Sequence, residues 1–205
     1  MSTWQQRAEL IPLCVPWWDE AEALAQGAKY VDGFGFAIKR DEFRDNVWNW
    51  LPRRYRVKPG EAALLPDMLP VTTWEQNVRN ILGSEAWDKM RKHAYKAAGF
   101  RCEICGDGGK LEAHERFDLI NETGVQRLAA IESLCPYCHK ARHLGIARRL
   151  GMLDAVKRHM LTVNGWTSAQ LEAAIEDAFE TWEQRAHWQW TVDLDFVHKA
   201  GLLYA

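Results

Sequence analysis

Two Cys-x-x-Cys motifs constrain this chain more than any other feature of its sequence. Cys102 and Cys105 form the first motif, and Cys135 and Cys138 form the second. Each motif presents two thiolates to one ion, and two such turns complete the tetrahedron that zinc favours. Because a four-sulfur site is coordinatively closed, we expect a structural zinc ion whose removal unfolds the surrounding region.

The rest of the composition is typical of a globular protein in a reducing compartment. Hydrophobic residues make up 47% and charged residues 26% of the 205 residues, and no apolar run is long enough to span a membrane. The N-terminus is polar where a signal peptide would be apolar. These features predict a cytoplasmic protein with no membrane partner. Its paired cysteines are then metal ligands, and the fifth, Cys14, is a buried structural thiol.

The distribution of charge is more informative than the net charge of −2. Residues 84–158 are mildly basic and lie between acidic segments, which is compatible with a local phosphate-binding face. The 11 Trp side chains are interpreted mainly as core residues, with base stacking as the alternative for one or two of them. Structural or surface roles are assigned to four scattered histidines: His93, His159, His187 and His198.

The chain is predicted to be an α+β protein of three modules and a connector. These are a small α/β domain at residues 1–56, a connector at 57–83, a zinc-centred core at 84–150 and a helical segment at 151–205. An amphipathic helix capped by Ser84 opens the core. A second helix begins at Thr167, where Gln170 completes a capping box.

Within the first module, the sequence pattern predicts strands at residues 10–15 and 34–38. Asp19 and Glu22 form a capping box for a short helix between them. Asp41 is predicted to open a second helix.

Three histidines lie close to the cysteine motifs. His139 follows Cys138 and His143 comes four residues later, so a helix starting near Pro136 would place both imidazoles on one face, spaced to chelate one ion. His114 occupies an extended-looking segment among three carboxylates: Glu112, Glu115 and Asp118. The alternative interpretation is that the two later histidines cap the helix and that Glu112 and Asp118 are surface charges.

The order of these motifs resembles the zinc-supported form of the HNH endonucleases, whose ββα-metal fold holds one divalent cation. In that family a histidine on the first strand activates the attacking water, and the cation stabilises the scissile phosphate and its leaving oxygen. Carried over by position, the resemblance implies that His114 is the general base. It also implies that His139 and His143 bind Mg or Mn.

Two positions depart from the family pattern. The cation ligand that normally precedes the base is Ala113 here. The position of the middle Asn is Ala130, for which two side chains are candidate substitutes, Asn121 and Gln126. If the register shifts by one residue, His114 becomes the ligand and Glu115 the base. The sequence is compatible with either His114 or Glu115 as the base.

A second resemblance covers most of the chain. The segments WDKMRKHAYKAAGFRCEICG, LCPYCHKARHLGIA and AFETWEQRAHWQW are similar to a group of bacterial and phage proteins usually labelled HNH endonucleases. In that group the first strand reads like Glu-Cys-His-Glu. The segment IPLCVPWWDEAEALAQGAKYVDGFGFAI looks like a small domain appended to plasmid primases and other mobile-element proteins. Both similarities imply a nucleic-acid setting on mobile DNA.

Three functions are compatible with these expectations. The first is a divalent-metal-dependent DNA endonuclease or nickase. The second is a catalytically inactive nucleic-acid-binding module, in which basic side chains after the second motif contact phosphates: Arg142, Arg148, Arg149, Lys157 and Arg158. The third is a protein-binding factor, for instance a phage or plasmid inhibitor of a host defence, which the net acidity and the abundant Trp would suit.

Overall fold

The computed structural model describes residues 9–32, 34–58, 60–73, 76–195 and 197. Within these ranges the protein has a mixed α+β structure with two three-stranded sheets, which confirms the predicted class. The polar N-terminal residues 1–8 and His198 lie outside the described residues. No helix in the described part of the chain is long and apolar enough to cross a membrane.

The first sheet belongs to the N-terminal part of the chain. It is antiparallel with the order β1-β3-β2, where β1 is Leu10–Pro12, β2 is Lys29–Val31 and β3 is Gly35–Lys39. Helix α1 at Glu20–Ala25 connects the first two strands. The predicted second helix is a 3₁₀ helix at Asp45–Trp50 and begins after Asp41. The core of this part includes Leu13, Ala23, Phe36, Ile38, Val47 and Trp50.

Asp19 does not form the predicted capping box. Among the described residues its side chain makes no capping hydrogen bond, and it accepts instead from Trp50 Nε1 at 2.9 Å. A 3₁₀ helix at Trp17–Asp19 runs directly into α1, so Asp19 has φ −105° and ψ 1°. A typical N-cap residue is extended. The carboxylate therefore ties the start of α1 to the core indole.

The second sheet is built on the segment between the cysteine motifs. Strands β4 at Glu112–Ile120 and β5 at Val125–Leu134 form a long antiparallel hairpin, with a register shift between Arg116 and Phe117. Strand β6 at Thr191–Asp193 pairs in parallel with the start of β5. The C-terminal segment, predicted to be helical, therefore also contributes a strand. Three residues are too few for a recognisable alternation of apolar and polar side chains.

Six further helices surround the hairpin in the described chain. They are α2 at Arg53–Arg56, α3 at Val78–Ala97, α4 at Pro136–Arg142, α5 at Leu144–Arg149, α6 at Leu153–Asn164 and α7 at Ser168–Ala186. Helix α3 is capped by Asn77 and starts before the predicted Ser84, with a break at Gly83, where φ is 81°. The Thr167–Gln170 capping box is confirmed at the start of α7.

The middle of the connector has an irregular conformation and is held by side chains from other parts of the chain. Residues 60–70 include no helix or strand among those described, and side chains from elsewhere pair with their backbone. Asn164 accepts from the Leu64 amide at 2.9 Å and donates to the Leu64 carbonyl at 2.8 Å. Four other donors reach connector carbonyls: Arg53 at Ala63, Arg142 at Leu65, Arg185 at Met68 and Trp182 at Leu69. The connector is thus fixed in place without a sheet ladder.

The end of α3 packs closely against the N-terminal sheet, and this contact predicts a stability difference. Gly99 and Gly165 both have left-handed φ, 61° and 64°, which costs an L residue about 1–2 kcal/mol. A Cβ at Gly99 would also clash with the Phe34 carbonyl oxygen, whereas at Gly165 it would meet no described atom within 4 Å. We therefore expect Gly99→Ala to cost about 1–3 kcal/mol more than Gly165→Ala in thermal unfolding. Equal losses in the two variants would contradict this contact.

Candidate metal centres

The four motif cysteines converge on one point at the base of the hairpin. Cys102 and Cys105 lie in the turn before β4, and Cys135 and Cys138 lie at the start of α4. Their sulfur atoms are all within 4.8 Å of one another, and Cys105 Sγ lies 3.6 Å from Cys135 Sγ. That separation suits a tetrahedron with Zn–S bonds of about 2.3 Å. The four cysteines could therefore hold a zinc ion, as the spacing predicts.

The four sulfurs interact strongly with one another. Their mutual hydrogen bonds lower the pKa of Cys102 and raise the pKa of Cys135 and of Cys138. His159 Nε2 lies 3.1 Å from Cys138 Sγ, so the imidazole can orient this sulfur. The role of His159 is one that the sequence did not indicate, because 21 residues of helix and turn separate it from Cys138.

A second cluster consists of the three histidines beside the cysteine motifs. His114 is the third residue of β4, His139 lies within α4, and His143 ends that helix. The ring centroids are 5.5 Å apart for His114 and His139, 4.9 Å for His114 and His143, and 5.0 Å for His139 and His143. One ring nitrogen from each lies within 4.8 Å of the other two. This cluster is called the histidine centre below.

Asp67 completes the environment of His114. The Nε2 atom of His114 lies 3.1 Å from Asp67 Oδ2, while Nδ1 is buried and has no hydrogen-bond partner among the described residues. Burial opposes the charged form of Asp67, but the hydrogen bond and charge of His114 lower the pKa of this carboxyl below its usual value. His114 is only 2% exposed, so its orphaned Nδ1 is costly unless a cation or a water binds there.

Glu112 plays a comparable role for His139. The Nδ1 atom of His139 lies 2.6 Å from Glu112 Oε2, which also accepts from Lys140 Nζ at 2.7 Å. Although burial acts in the opposite direction, these two contacts lower the pKa of Glu112 to about 2. The pairing leaves Nε2 of His139 for a cation, in the carboxylate–histidine–metal arrangement common at metal sites. Glu112 is therefore a partner of the centre and not merely a surface charge.

His143 has the protonation state that a ligand requires. Burial, reinforced by the charges of His114 and His139, lowers the pKa of His143 to about 3. Burial likewise lowers the pKa of His139, although Glu112 opposes the shift. Neutral imidazoles bind metal ions, whereas imidazolium does not. Both helix histidines are therefore ready to bind a cation at neutral pH.

Glu115, the alternative base, is not brought to the histidine centre. Its Oε1 accepts from the Val78 amide at 2.5 Å, at the N-terminus of α3, where a carboxylate is favoured. Neighbouring residues of a strand point to opposite faces, so Glu115 and Ala113 face away from His114. Gln126, a candidate substitute for the family Asn, is buried and bonds to Thr73 Oγ1 at 2.6 Å. Asn121 lies in the exposed hairpin turn, and Ala130 pairs with Arg116 in the sheet.

The five predicted phosphate contacts fall into two groups. Arg142 is buried, with Nη1 bonded to the Leu65 carbonyl and Nη2 3.6 Å from Glu132 Oε2. Lys157 forms an ion pair with Glu172 at 2.8 Å. The remaining three are exposed on α5 and α6: Arg148, Arg149 and Arg158. Of the five predicted contacts, these three have exposed guanidinium groups.

Comparison with known proteins identifies no relative. No family model, no curated protein and no solved structure matches this chain. The HNH resemblance of the motifs therefore stays a prediction.

Proposed function

We propose that this protein is an HNH-type, divalent-metal-dependent DNA endonuclease or nickase with a structural zinc ion at its four cysteines. The observation that carries the proposal is the histidine centre, in which three buried or half-buried imidazoles converge beside a closed four-sulfur site. A hairpin followed by a helix supplies all three, which is the layout expected of a ββα-metal core. The two centres have different donors and therefore suit different ions.

The roles of the residues follow from their contacts. His139, through Nε2, and His143 are the proposed ligands of Mg or Mn, and two imidazoles favour Mn over Mg. When bound, the cation would stabilise charge on the scissile phosphate and on the leaving oxygen. His114 accepts the proton of the attacking water at Nδ1. Asp67 holds the opposite nitrogen, which fixes the tautomer and the orientation of the ring.

A plasmid-nicking assay of the full-length, zinc-loaded protein tests this proposal. With Mn²⁺ or Mg²⁺ we expect supercoiled plasmid to convert to open circles, and brief EDTA treatment should stop the reaction. Zinc content is measured after the EDTA step, so that loss of the structural ion is recognised. His114→Ala protein, purified in parallel, excludes a contaminating nuclease. Absence of nicking with either cation would overturn the proposal.

The second candidate is a nucleic-acid-binding protein that lacks the chemistry. It is supported by the position of Glu115 away from the centre and by the exposed Arg148, Arg149 and Arg158. Such a protein would bind DNA with a steep salt dependence and would not cleave it. Failure to bind DNA even at low salt would instead favour a protein-binding factor.

A further inference from the structure

Aromatic rings and cations form a stripe on the surface between the N-terminal sheet and the first cysteine motif. The stripe begins on the edge strand β2, crosses the end of α3 and reaches α2. We call it the aromatic stripe, and its members are Tyr30, Lys96, Phe100, Arg101, Arg54 and Tyr55. The stripe shares no residue with the histidine centre.

The first half of the aromatic stripe is joined at the end of α3. Lys96 Nζ lies 5.2 Å from the centroid of the Tyr30 ring, which is 49% exposed. Phe100 follows Lys96 by four residues, and its amide donates to the Tyr95 carbonyl at 2.8 Å. The end of the helix therefore carries a cation and a ring next to the ring of β2.

The second half is joined through the turn of the first cysteine motif. Arg101 Nη1 donates to the Gly106 carbonyl at 3.1 Å, and the Arg54 side chain packs beside Gly106. The Arg54 guanidinium lies 4.7 Å from the centroid of the Tyr55 ring, which is 42% exposed. The two halves meet where Phe100 and Arg101 follow each other in the chain, so the stripe is continuous.

Phe100 distinguishes the stripe from an ordinary protein surface. Its side chain is 63% exposed, the largest exposed fraction among the large hydrophobic side chains of the described chain. Its φ of 55° is left-handed, and within the described residues no other residue except glycine has a positive φ. Burial does not compensate for this strain, and strained backbone of this kind is often retained where a side chain contacts a ligand.

The three cations of the stripe are not neutralised by the protein. Among the described residues, no carboxylate forms an ion pair with Lys96, Arg101 or Arg54. Backbone carbonyls hold the two guanidiniums, that of Arg101 at Gly106 and that of Arg54 at Cys102, which fixes their positions and leaves their charge. In a chain with a net charge of −2, three uncompensated cations in one stripe favour an anionic ligand.

We propose that the aromatic stripe binds single-stranded DNA, whose bases stack on its three rings and whose phosphates contact its three cations. Rings beside cations match a strand, in which every base is linked to a phosphate. A duplex hides the faces of its bases and would leave the three rings without a partner. The choice of DNA rests on the proposed function. The stripe narrows the substrate of that function to DNA with an unpaired segment.

Fluorescence anisotropy with the full-length, zinc-loaded protein tests the stripe, without added Mg²⁺ or Mn²⁺ so that binding is measured apart from cleavage. The labelled probes are dodecamers of one length: a thymidylate strand, an abasic deoxyribose strand, a DNA duplex and a uridylate RNA strand. We expect the thymidylate strand to bind at least about fivefold more tightly than the abasic strand, because one stacked base supplies this factor. It should also bind more tightly than the duplex and the RNA.

Two variants separate the contribution of the rings from that of the cations. Phe100→Asn removes the ring and introduces a residue that tolerates left-handed φ. It should weaken binding by about fivefold or more and leave the salt dependence unchanged. Lys96→Gln keeps the length of the side chain, and should reduce the slope of log affinity against log salt concentration by about 0.7. Phe179→Asn is the matched control, since it removes an exposed ring on α7, and should bind as the wild type does.

Circular dichroism and zinc content establish that each variant is folded. Equal binding of the thymidylate and abasic strands would overturn the proposal, as would wild-type binding by folded Phe100→Asn and Lys96→Gln proteins. Tighter binding of the duplex or of the RNA would overturn the choice of single-stranded DNA. Binding of the thymidylate strand by a protein that nicks no plasmid would support the stripe and contradict the nuclease. Nicking without such binding would overturn the stripe alone.

Discussion

Removal of zinc, or the substitution Cys138→Ser, is expected to unfold the central part of the protein. Cys102, Cys135 and Cys138 are at most 1% exposed and belong to one core cluster with Ile104 and Met160. Structural zinc contributes about 10–16 kcal/mol to the folding of small zinc domains. A whole domain is stable by only about 5–15 kcal/mol. The free energy of folding that is lost with the ion is therefore larger than the surrounding apolar contacts can supply.

Thermal unfolding by circular dichroism, with zinc content measured in the same samples, checks this result. Cys14→Ser is the matched control, because Cys14 is the cysteine outside the four-sulfur site. Its side chain is half-buried, not fully buried as the sequence predicts. We expect the control to keep one zinc per chain and most of its thermal stability. A Cys138→Ser protein that unfolds at the wild-type temperature would contradict a structural role for the ion.

Substitution of His114 by Ala is expected to abolish metal-dependent nicking, and Asp67→Asn to reduce it by about 10–100-fold. His114 is proposed as the base, so its removal leaves no group to accept the proton of the water. An amide at position 67 keeps the shape of the carboxylate but not its charge. It therefore no longer stabilises the imidazolium that forms when His114 takes up a proton.

The nicking rate with saturating Mn²⁺ measures both effects, and His187→Ala serves as the control because its side chain is exposed. His114 is buried, so His114→Gln is prepared as a second variant that leaves a smaller cavity than Ala does. Folded variants are recognised by wild-type zinc content and wild-type circular dichroism. Wild-type nicking by folded His114 variants would remove His114 from the mechanism.

Much of both centres could be predicted from local spacing. The Cys-x-x-Cys turns bring their own sulfurs together, and residues four apart on a helix share a face, as His139 and His143 do. The Thr167–Gln170 capping box is equally local and is confirmed. These features depend on geometry within a few residues, which is where a sequence pattern is most informative.

The partners of these residues could not be predicted, because they come from distant parts of the chain. Asp67 lies 47 residues before His114 in a connector without periodicity, so no spacing rule joins the two. Asp19 failed as a cap because Trp50, 31 residues away, competes for its carboxylate. Glu115 looked workable as a base beside His114, but strand alternation turns it to the other face.

The connector that carries Asp67 is held by residues that come before α6 and α7 as well as by those helices. Arg142 of α4 donates to the Leu65 carbonyl, and its own carbonyl accepts from the Asp67 amide at 2.8 Å. Arg142 lies between His139 and His143, so the helix that carries two of the imidazoles also positions Asp67. On the ribosome, Asp67 and the three histidines can therefore come together as soon as α4 has formed. Asn164 of α6 and Trp182 and Arg185 of α7 then bond to a connector that already lies beside the histidine centre.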